Sequence, residues 1–254
     1  MQYDGITPEE EKNIISQLKA SPDIVALYCD QLKFAAAASQ AYREPYRNVK
    51  VYLQLLSRNA VLDPKSREYL GLVEGALERL NLCISDMFNY MQLDLKPVRI
   101  ETVDCNALLE EVLNSLSEAL KHHKIEIVRS PLPTIPANRE DLFTIFRNLV
   151  HNAIKFHGNE YPSIKISVSK KEEAWTFSVS DNGIGVAKVF HDYIFKPFGR
   201  LHPTQDYPGS GLGLATCKKL AQRQNGEIWV ESAVGSGSCF HFTIGEFKDS
   251  PEHD

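Results

Sequence analysis

The chain has 254 residues, of which 43% are hydrophobic and 24% are charged, and this composition is typical of a globular protein with one large or two ordinary domains. Its formal net charge of -5, with both signs interspersed, disfavours nucleic acid as a partner. The N-terminal residues lack the basic and apolar regions of a signal peptide, and no later stretch approaches the ~20 apolar residues of a membrane span. We therefore expect a cytoplasmic protein without a membrane span. Five scattered cysteines without a CxxC pair predict neither a disulfide framework nor a zinc site.

Two long helices are predicted first. Apolar residues recur at helical spacing from about Asp23 to Asn59, and Asp63-Pro64 follows as a breaker and a helix start. The next segment carries an apolar stripe at alternating intervals of three and four residues: Leu70, Val73, Leu77, Leu80, Ile84, Met87 and Met91. Two such hairpins could cover their stripes by pairing, which predicts a homodimer through a four-helix bundle. Packing of the stripe within one chain is the alternative.

Helices and strands mix after Lys96-Pro97, which predicts a domain boundary there. Helices are expected at 105–122, 139–156 and 212–224, and strands at 125–129, 163–170, 174–181, 227–232 and 238–244. This order favours an α+β sandwich with an antiparallel or mixed sheet and helices on one face. The predicted organisation is a lead-in at 1–22, a helical hairpin at 23–96, a second domain at 97–247 and a disordered tail at 248–254.

A polar face on the helix predicted at 139–156 is the first sign of chemistry. Asn148, Asn152 and Lys155 are four and three residues apart, so they share one side of the helix. An asparagine oxygen can coordinate Mg²⁺, and a lysine can pair with phosphate.

Two glycine-containing segments follow in the same domain. In "DNGIG", Asp181 could accept a hydrogen bond from an adenine amino group, while Gly183 and Gly185 permit close backbone approach. In "GSGLG", the residues Gly209, Gly211 and Gly213 open a helix whose N-terminus can bind an anion. Each segment alone is weak evidence, because DNG is common in turns and glycine triplets occur in other nucleotide folds.

Taken together, the clusters resemble a known family. Asn148 to Phe156, Asp181 to Gly185, Ile194 to His202 and Gly209 to Leu214 are similar, in order and spacing, to the N, G1, F and G2 boxes of the sensor histidine kinase catalytic domain. The preceding helices resemble the dimerisation and histidine-phosphotransfer hairpin, and the nearest subfamily is the phytochrome-type kinases. The resemblance covers about residues 31 to 247 and implies the GHKL (Bergerat) ATPase fold.

This resemblance implies roles for single residues. Asn152 would coordinate a Mg²⁺ that bridges the ATP phosphates, with Asn148 beside it, and Lys155 would lie near the phosphates. Asp181 would hold the adenine amino group, and Gly183 and Gly185 would shape the base pocket. The segment from Phe195 to Gly209 would be the ATP lid. The remaining residues implied to meet the phosphates are Arg200 in the lid and Gly209, Gly211 and Gly213 at its hinge.

The first helix departs from the family pattern. Where the phytochrome-type motif reads Ser-His-Asp-Leu-x-Glu-Pro-Leu, this chain reads "SQAYREPY", with Gln40 at the phosphoacceptor position and Ala41 at the position of the general base. A carboxamide nitrogen has no free lone pair for attack on phosphorus, so Gln40 cannot replace imidazole. An engineered His-to-Gln change would explain Gln40 but not Ala41. Glu44 stands where the family's phosphatase subtype has Thr or Asn.

These observations predict a pseudokinase of a two-component system. It would bind Mg-ATP without autophosphorylation and would act on a response-regulator receiver domain or on another histidine kinase. One alternative is an active kinase that phosphorylates a histidine on a partner chain in trans. Another is a non-catalytic structural adaptor that nucleotide only stabilises.

Overall fold

The computed structural model describes residues 22–59, 62–158, 161–171, 174–202, 207 and 209–245. The chain divides into two compact units between Gln92 and Leu93. The lead-in before residue 22 and the predicted tail at 248–254 lie outside the described residues. None of the helices described combines the length and the apolar character that crossing a bilayer requires.

The first unit is a pair of long helices, as predicted. Helix α1 spans Pro22–Asn59 and continues through Pro45, and helix α2 spans Pro64–Gln92. Asp63 caps α2, because its Oδ1 accepts hydrogen bonds from the backbone N–H groups of Lys65 at 2.9 Å and Ser66 at 3.0 Å. Pro64 occupies the first helical position, where its missing N–H has no cost, so the helix start predicted at Asp63-Pro64 is confirmed.

The apolar stripe of α2 is only partly shielded in the single chain. Leu70 is buried, whereas Val73 and Leu80 keep 49% and 51% of their surface exposed. The other stripe residues, Leu77, Ile84, Met87 and Met91, are half-buried. Exposed apolar side chains at helical spacing are typical of a surface that pairs with another chain, so the homodimer stays a prediction.

The second unit contains a mixed sheet with helices packed on it. Its first elements, in chain order, are β1 Glu101–Asp104, α3 Cys105–Ser115, α4 Ser117–His122, β2 Glu126–Arg129, β3 Thr134–Ala137 and α5 Arg139–Lys155. They are followed by β4 Ser163–Lys171, β5 Ala174–Asp181, α6 Gly213–Arg223, β6 Ile228–Ser232 and β7 Ser238–Ile244. Among the described strands the sheet order is β2-β4-β5-β7-β6, with β2 parallel to β4 and the other pairs antiparallel. The predicted α+β architecture is confirmed.

The antiparallel ladder of β1 and β3 was not predicted. It pairs Glu101 with Ala137 and Asp104 with Thr134. Each strand has only four residues, and β3 contains Pro136, which a sequence reading takes as evidence against a strand. The two-stranded ladder tolerates this proline because it has a free edge on each side.

The helix predicted at 105–122 is interrupted. Helices α3 and α4 are separated at Leu116, whose backbone angles of φ -111° and ψ 7° are not helical. The Ser115 hydroxyl donates to the Val112 carbonyl at 2.6 Å, and such local side-chain bonds compete with helix propagation. The side chain of Leu116 is nevertheless buried, so the break turns the chain without losing a core residue.

The core of the second unit is centred on three phenylalanines. Phe146 of α5 meets Phe177 of β5 edge-on at 5.5 Å between ring centroids and Phe242 of β7 at 5.2 Å, while the two strand rings stack at 5.1 Å. All three are fully buried. Edge-to-face aromatic pairs add to the free energy of burial, so this cluster ties α5 to the centre of the sheet.

We expect Phe177→Ala to lower the free energy of unfolding of this unit by about 3–5 kcal/mol, because it removes a buried ring and leaves a cavity. Trp175 and Trp229 both lie in this unit, so tryptophan fluorescence during urea unfolding measures the change. Val234→Ala is the control, since Val234 is 71% exposed and its truncation should change stability by less than about 0.5 kcal/mol. Equal effects of the two substitutions would contradict this assignment of the core.

Candidate nucleotide site

Helix α5 positions the polar residues predicted to bind phosphate and metal. Its N-terminus is capped by Asn138, whose side-chain oxygen accepts from the Asp141 N–H at 3.0 Å. One side of the helix is buried in the core through Leu142, Ile145, Phe146, Leu149, Val150 and Ala153. Asn148, Asn152 and Lys155 lie on the remaining side and are half-buried. The helical period therefore keeps these three polar groups out of the core but close to it.

The N-terminus of α6 lies beside Asn148. The side-chain amide of Asn148 donates to the Gly213 carbonyl at 3.4 Å, and Gly213 is the first residue of α6. Leu212, which precedes it, supplies no side-chain cap. The first N–H groups of a helix have no partner within the helix, so an anion can accept hydrogen bonds from this end of α6.

Lys155 is a cation that lacks a described counter-ion. Its ammonium nitrogen would lie 3.1 Å from a Cβ added at Gly209, and it lies 4.5 Å from the centroid of the Phe156 ring. Burial, with a smaller contribution from the positive charge of Arg200, lowers the pKa of Lys155 to about 8. Within the described part of the chain, no carboxylate is paired with this ammonium group. An anionic ligand here would gain both a hydrogen-bond donor and an unpaired positive charge.

Arg200 holds the segment that contains Gly209. One guanidinium nitrogen donates to the Gly209 carbonyl and the other donates to the Tyr207 carbonyl at 3.0 Å. The ring of Tyr207 lies 4.9 Å from that of Phe156 and 5.2 Å from that of His202. Gly211 has φ +78°, and a side chain there would press on Phe198 and Arg200. The predicted lid is thus described at 195–202, 207 and 209, and its other residues lie outside the described part.

Asp181 ends strand β5 with one carboxylate oxygen occupied. Its Oδ1 accepts from the backbone N–H groups of Gly183 at 2.8 Å and Ser238 at 3.3 Å. Burial raises the pKa of Asp181, although these two hydrogen bonds act in the opposite direction. No donor among the described residues reaches Oδ2, so that atom can accept a hydrogen bond from a ligand.

Two glycines allow close backbone contacts after Asp181. A side chain at Gly183 would collide with the Phe156 carbonyl, and one at Gly185, which has φ +70°, would collide with the Ala233 carbonyl. The Ile184 N–H donates to the Phe156 carbonyl at 3.1 Å, and the Ile184 carbonyl accepts from the Gly235 N–H at 2.8 Å. The glycine loop therefore connects the end of α5 to the turn between β6 and β7.

A metal ion could be held by Asn152. Its half-buried side-chain amide has no hydrogen-bond partner among the described residues. Mg²⁺ is typically bound by one or two protein oxygens together with ligand phosphates and water, so a single amide oxygen fits this ion. The described residues contain no group of three or more His, Cys, Asp or Glu that could hold a metal by themselves.

The predicted site residues fall into two groups in the structure. The group at the α5–α6 side consists of Asn148, Asn152, Lys155, Arg200, Gly209, Gly211 and Gly213, and the group at the end of β5 consists of Asp181, Gly183 and Gly185. Phe156 joins them, because its carbonyl meets the glycine loop and its ring meets Tyr207. The sequence reading assigned no role to Phe156, Tyr207 or Ser238. For Phe156 the only sequence signal was its place directly after Lys155, and for Tyr207 and Ser238 there was none.

Residues 137–247 match the family model of histidine kinase-, DNA gyrase B-, and HSP90-like ATPases. Cyanobacterial phytochrome A of Nostoc sp. is 37% identical over 214 residues, which are 84% of this chain and 28% of the relative. Phytochrome-like protein Cph1 of Synechocystis sp. is 35% identical over 217 residues, with 85% and 29% covered. The second unit is an ATPase domain of the histidine kinase family. It has the GHKL fold that the four sequence clusters predicted.

A solved structure supports the same assignment over most of the chain. Full-length ShkA in complex with AMPPNP matches with a TM-score of 0.66 and 29% identity, over 84% of this chain and 45% of that protein. The present chain spans less than a third of the length of the two phytochromes. The roles of the single residues of the ATPase domain stay predictions.

We expect Lys155→Met to stabilise the ligand-free protein at pH 7 by about 1–2 kcal/mol, after allowance for partial solvent screening. The folded pKa of about 8 lies below the ordinary 10.5, so the unfolded chain binds more protons between these values and wild-type stability rises with pH there. Below pH 8 the wild type carries the full cost of the unpaired cation, which methionine removes. Urea unfolding at pH 7 and pH 10 measures the difference.

Lys196→Met is the matched control, because Lys196 is exposed and belongs to the same unit. The free energy of unfolding of Lys196→Met should equal that of the wild type at pH 7 and at pH 10. A Lys155→Met protein that is less stable at pH 7, or whose advantage does not shrink towards pH 10, would contradict the electrostatic assignment.

Proposed function

We propose that this chain is a two-component signalling protein whose ATPase domain binds Mg-ATP but whose helical hairpin has no phosphoacceptor. The observation that carries the proposal is the exposed glutamine Gln40 on α1, at the position where the resemblance implies histidine. Ala41, at the position of the general base, is also exposed. All eight histidines lie outside the hairpin at 23–96, so neither helix offers a substitute imidazole.

The chemistry of Gln40 supports this reading. Phosphoryl transfer to histidine requires a ring nitrogen with a free lone pair, and the carboxamide nitrogen shares its lone pair with the carbonyl. Ala41 cannot accept a proton or orient an acceptor. Exposure of both side chains leaves them accessible to a partner protein, so binding rather than phosphorylation is the role that this surface of α1 supports.

Unsatisfied groups in the ATPase domain support retained nucleotide binding. Lys155 has no described carboxylate, Asp181 has a free Oδ2 and Asn152 has an unpaired amide. The phosphates of ATP would pair with the first, the adenine amino group with the second, and Mg²⁺ with the third. The neighbour ShkA was solved in complex with AMPPNP, an ATP analogue.

The proposed partners follow from the family. A homodimer would form through the hairpin, and the dimer would regulate a response-regulator receiver domain or another histidine kinase in the cytoplasm. The second candidate is an active kinase that phosphorylates a partner's histidine in trans. It would use the same nucleotide site. Both candidates require Mg-ATP, and they differ in where the phosphoryl group goes.

We expect no acid-labile label on the purified chain after incubation with γ-labelled ATP and Mg²⁺, because Gln40 offers no acceptor. Mg-ATP should nevertheless bind, as measured by calorimetry, and Asn152→Ala should weaken this binding by about tenfold or more through loss of the metal ligand. Label on this chain alone would refute the proposal, whereas label on a partner's histidine would favour the trans kinase.

The double substitution Gln40→His with Ala41→Asp tests the hairpin separately from the pocket. We expect it to acquire acid-labile label, since it restores the nucleophile and its base. The matched control is Gln40→His with Ala41→Asp in the Asn152→Ala background, which should remain unlabelled. A protein that binds no Mg-ATP at all would refute the nucleotide-binding part of the proposal.

The double substitution Val73→Glu with Leu80→Glu should convert a dimer to a monomer of 28.7 kDa, because it places charges in the exposed apolar stripe of α2. Light scattering coupled to size exclusion measures the mass. Asn89→Glu is the control, since it adds charge to an exposed polar position of the same helix. A monomeric wild type would refute the homodimer without affecting the nucleotide site.

A further inference from the structure

Three of the eight histidines come together at a place outside the nucleotide site. His123 is the C-cap of α4, and His157 follows the C-cap of α5, 34 residues later in the chain. The Nε2 atom of His157 lies 2.8 Å from the Nδ1 atom of His123. His122 packs edge-on against His123, with 4.7 Å between ring centroids.

The contact between the two rings suits a pair of metal ligands. The ring centroids of His123 and His157 lie 4.6 Å apart, and one nitrogen of each ring faces the other ring. In the hydrogen bond between the two rings, the nitrogen of one ring donates its hydrogen to the nitrogen of the other. The donating ring can instead carry its hydrogen on its other nitrogen, the one that faces away from the contact. His157 Nε2 and His123 Nδ1 then both present lone pairs to the same point, and no proton is released.

We propose that His123 and His157 form a binding site for a transition-metal dication that prefers imidazole, such as Ni²⁺ or Zn²⁺. Metal-bound imidazole nitrogens lie about 2.0–2.1 Å from Zn²⁺, which separates two of them by about 3.3 Å at a tetrahedral angle. The observed 2.8 Å needs an opening of only about 0.5 Å, within reach of side-chain rotation. The described residues do not supply a third ligand of the His, Cys, Asp or Glu type, so water completes the coordination.

The backbone near His157 also favours a cation. Helix α5 has 17 residues, and its C-terminal carbonyl groups carry partial negative charge close to His157. Mg²⁺ would not compete, because it prefers oxygen ligands. The proposed site is therefore chemically distinct from the Asn152 position and independent of the proposed function.

Ni²⁺ titration by calorimetry tests the site, with the untagged 254-residue chain after it has been stripped with chelator and kept in excess Mg²⁺. We expect one Ni²⁺ per chain, binding about tenfold weaker or more in His157→Gln and in His123→Gln, and little change in His122→Gln, the adjacent control. Titration of the wild type with diamagnetic Zn²⁺ should shift the ring nitrogen NMR signals of His157 Nε2 and His123 Nδ1. This measurement reports ligation without any substitution, so it does not depend on how well a variant folds.

Wild-type protein that binds Ni²⁺ no better than the His123→Gln/His157→Gln double variant would overturn the proposal. An equal loss of binding in His122→Gln would overturn the two-ring assignment. Failure of ATP binding in the earlier experiments would leave this test unaffected, because the titration contains no nucleotide. Failure of dimerisation would also leave it unaffected, because both rings belong to one chain.

Discussion

The ATPase domain depends on one helix that satisfies two environments at once. The buried side of α5 places Phe146 against Phe177 and Phe242, so the position and rotation of the helix are set by the core. Because the helical period is fixed, the same rotation sets where Asn148 and Lys155 lie. Any repacking of the core that turned α5 would move both polar groups together. Stability and ligand geometry are thereby coupled in this unit.

The electrostatics of the site favour a ligand with two different ends. Lys155 has a lowered pKa and no described counter-ion, which suits an anion, and it lies beside Gly209. Asp181 has a raised pKa and one unoccupied oxygen, which suits a hydrogen-bond donor. On balance, burial disfavours the charged form of each group, although two backbone N–H groups partly stabilise the Asp181 carboxylate. A nucleotide, with phosphates and an amino group at opposite ends, would relieve both costs.

The two units contribute differently to the proposed signalling role. The ATPase domain keeps polar groups that the fold leaves unsatisfied, whereas α1 presents Gln40 and Ala41 where the resemblance implies an acceptor and its base. Loss of chemistry at an exposed helical position has no consequence for packing, because neither side chain is buried. A hairpin can therefore lose its acceptor while it retains its fold and its binding surfaces.

The sequence by itself determined the elements whose periodicity is strong. Strands 174–181 and 238–244 were predicted to the residue, and so was the helix start at Pro64, because alternation and capping are local signals. Tertiary structure alone decided the ladder of the four-residue strands β1 and β3, the connecting role of Phe156 and the meeting of His123 with His157. Local patterns encode which residues are buried, but contacts between distant segments depend on how the elements pack.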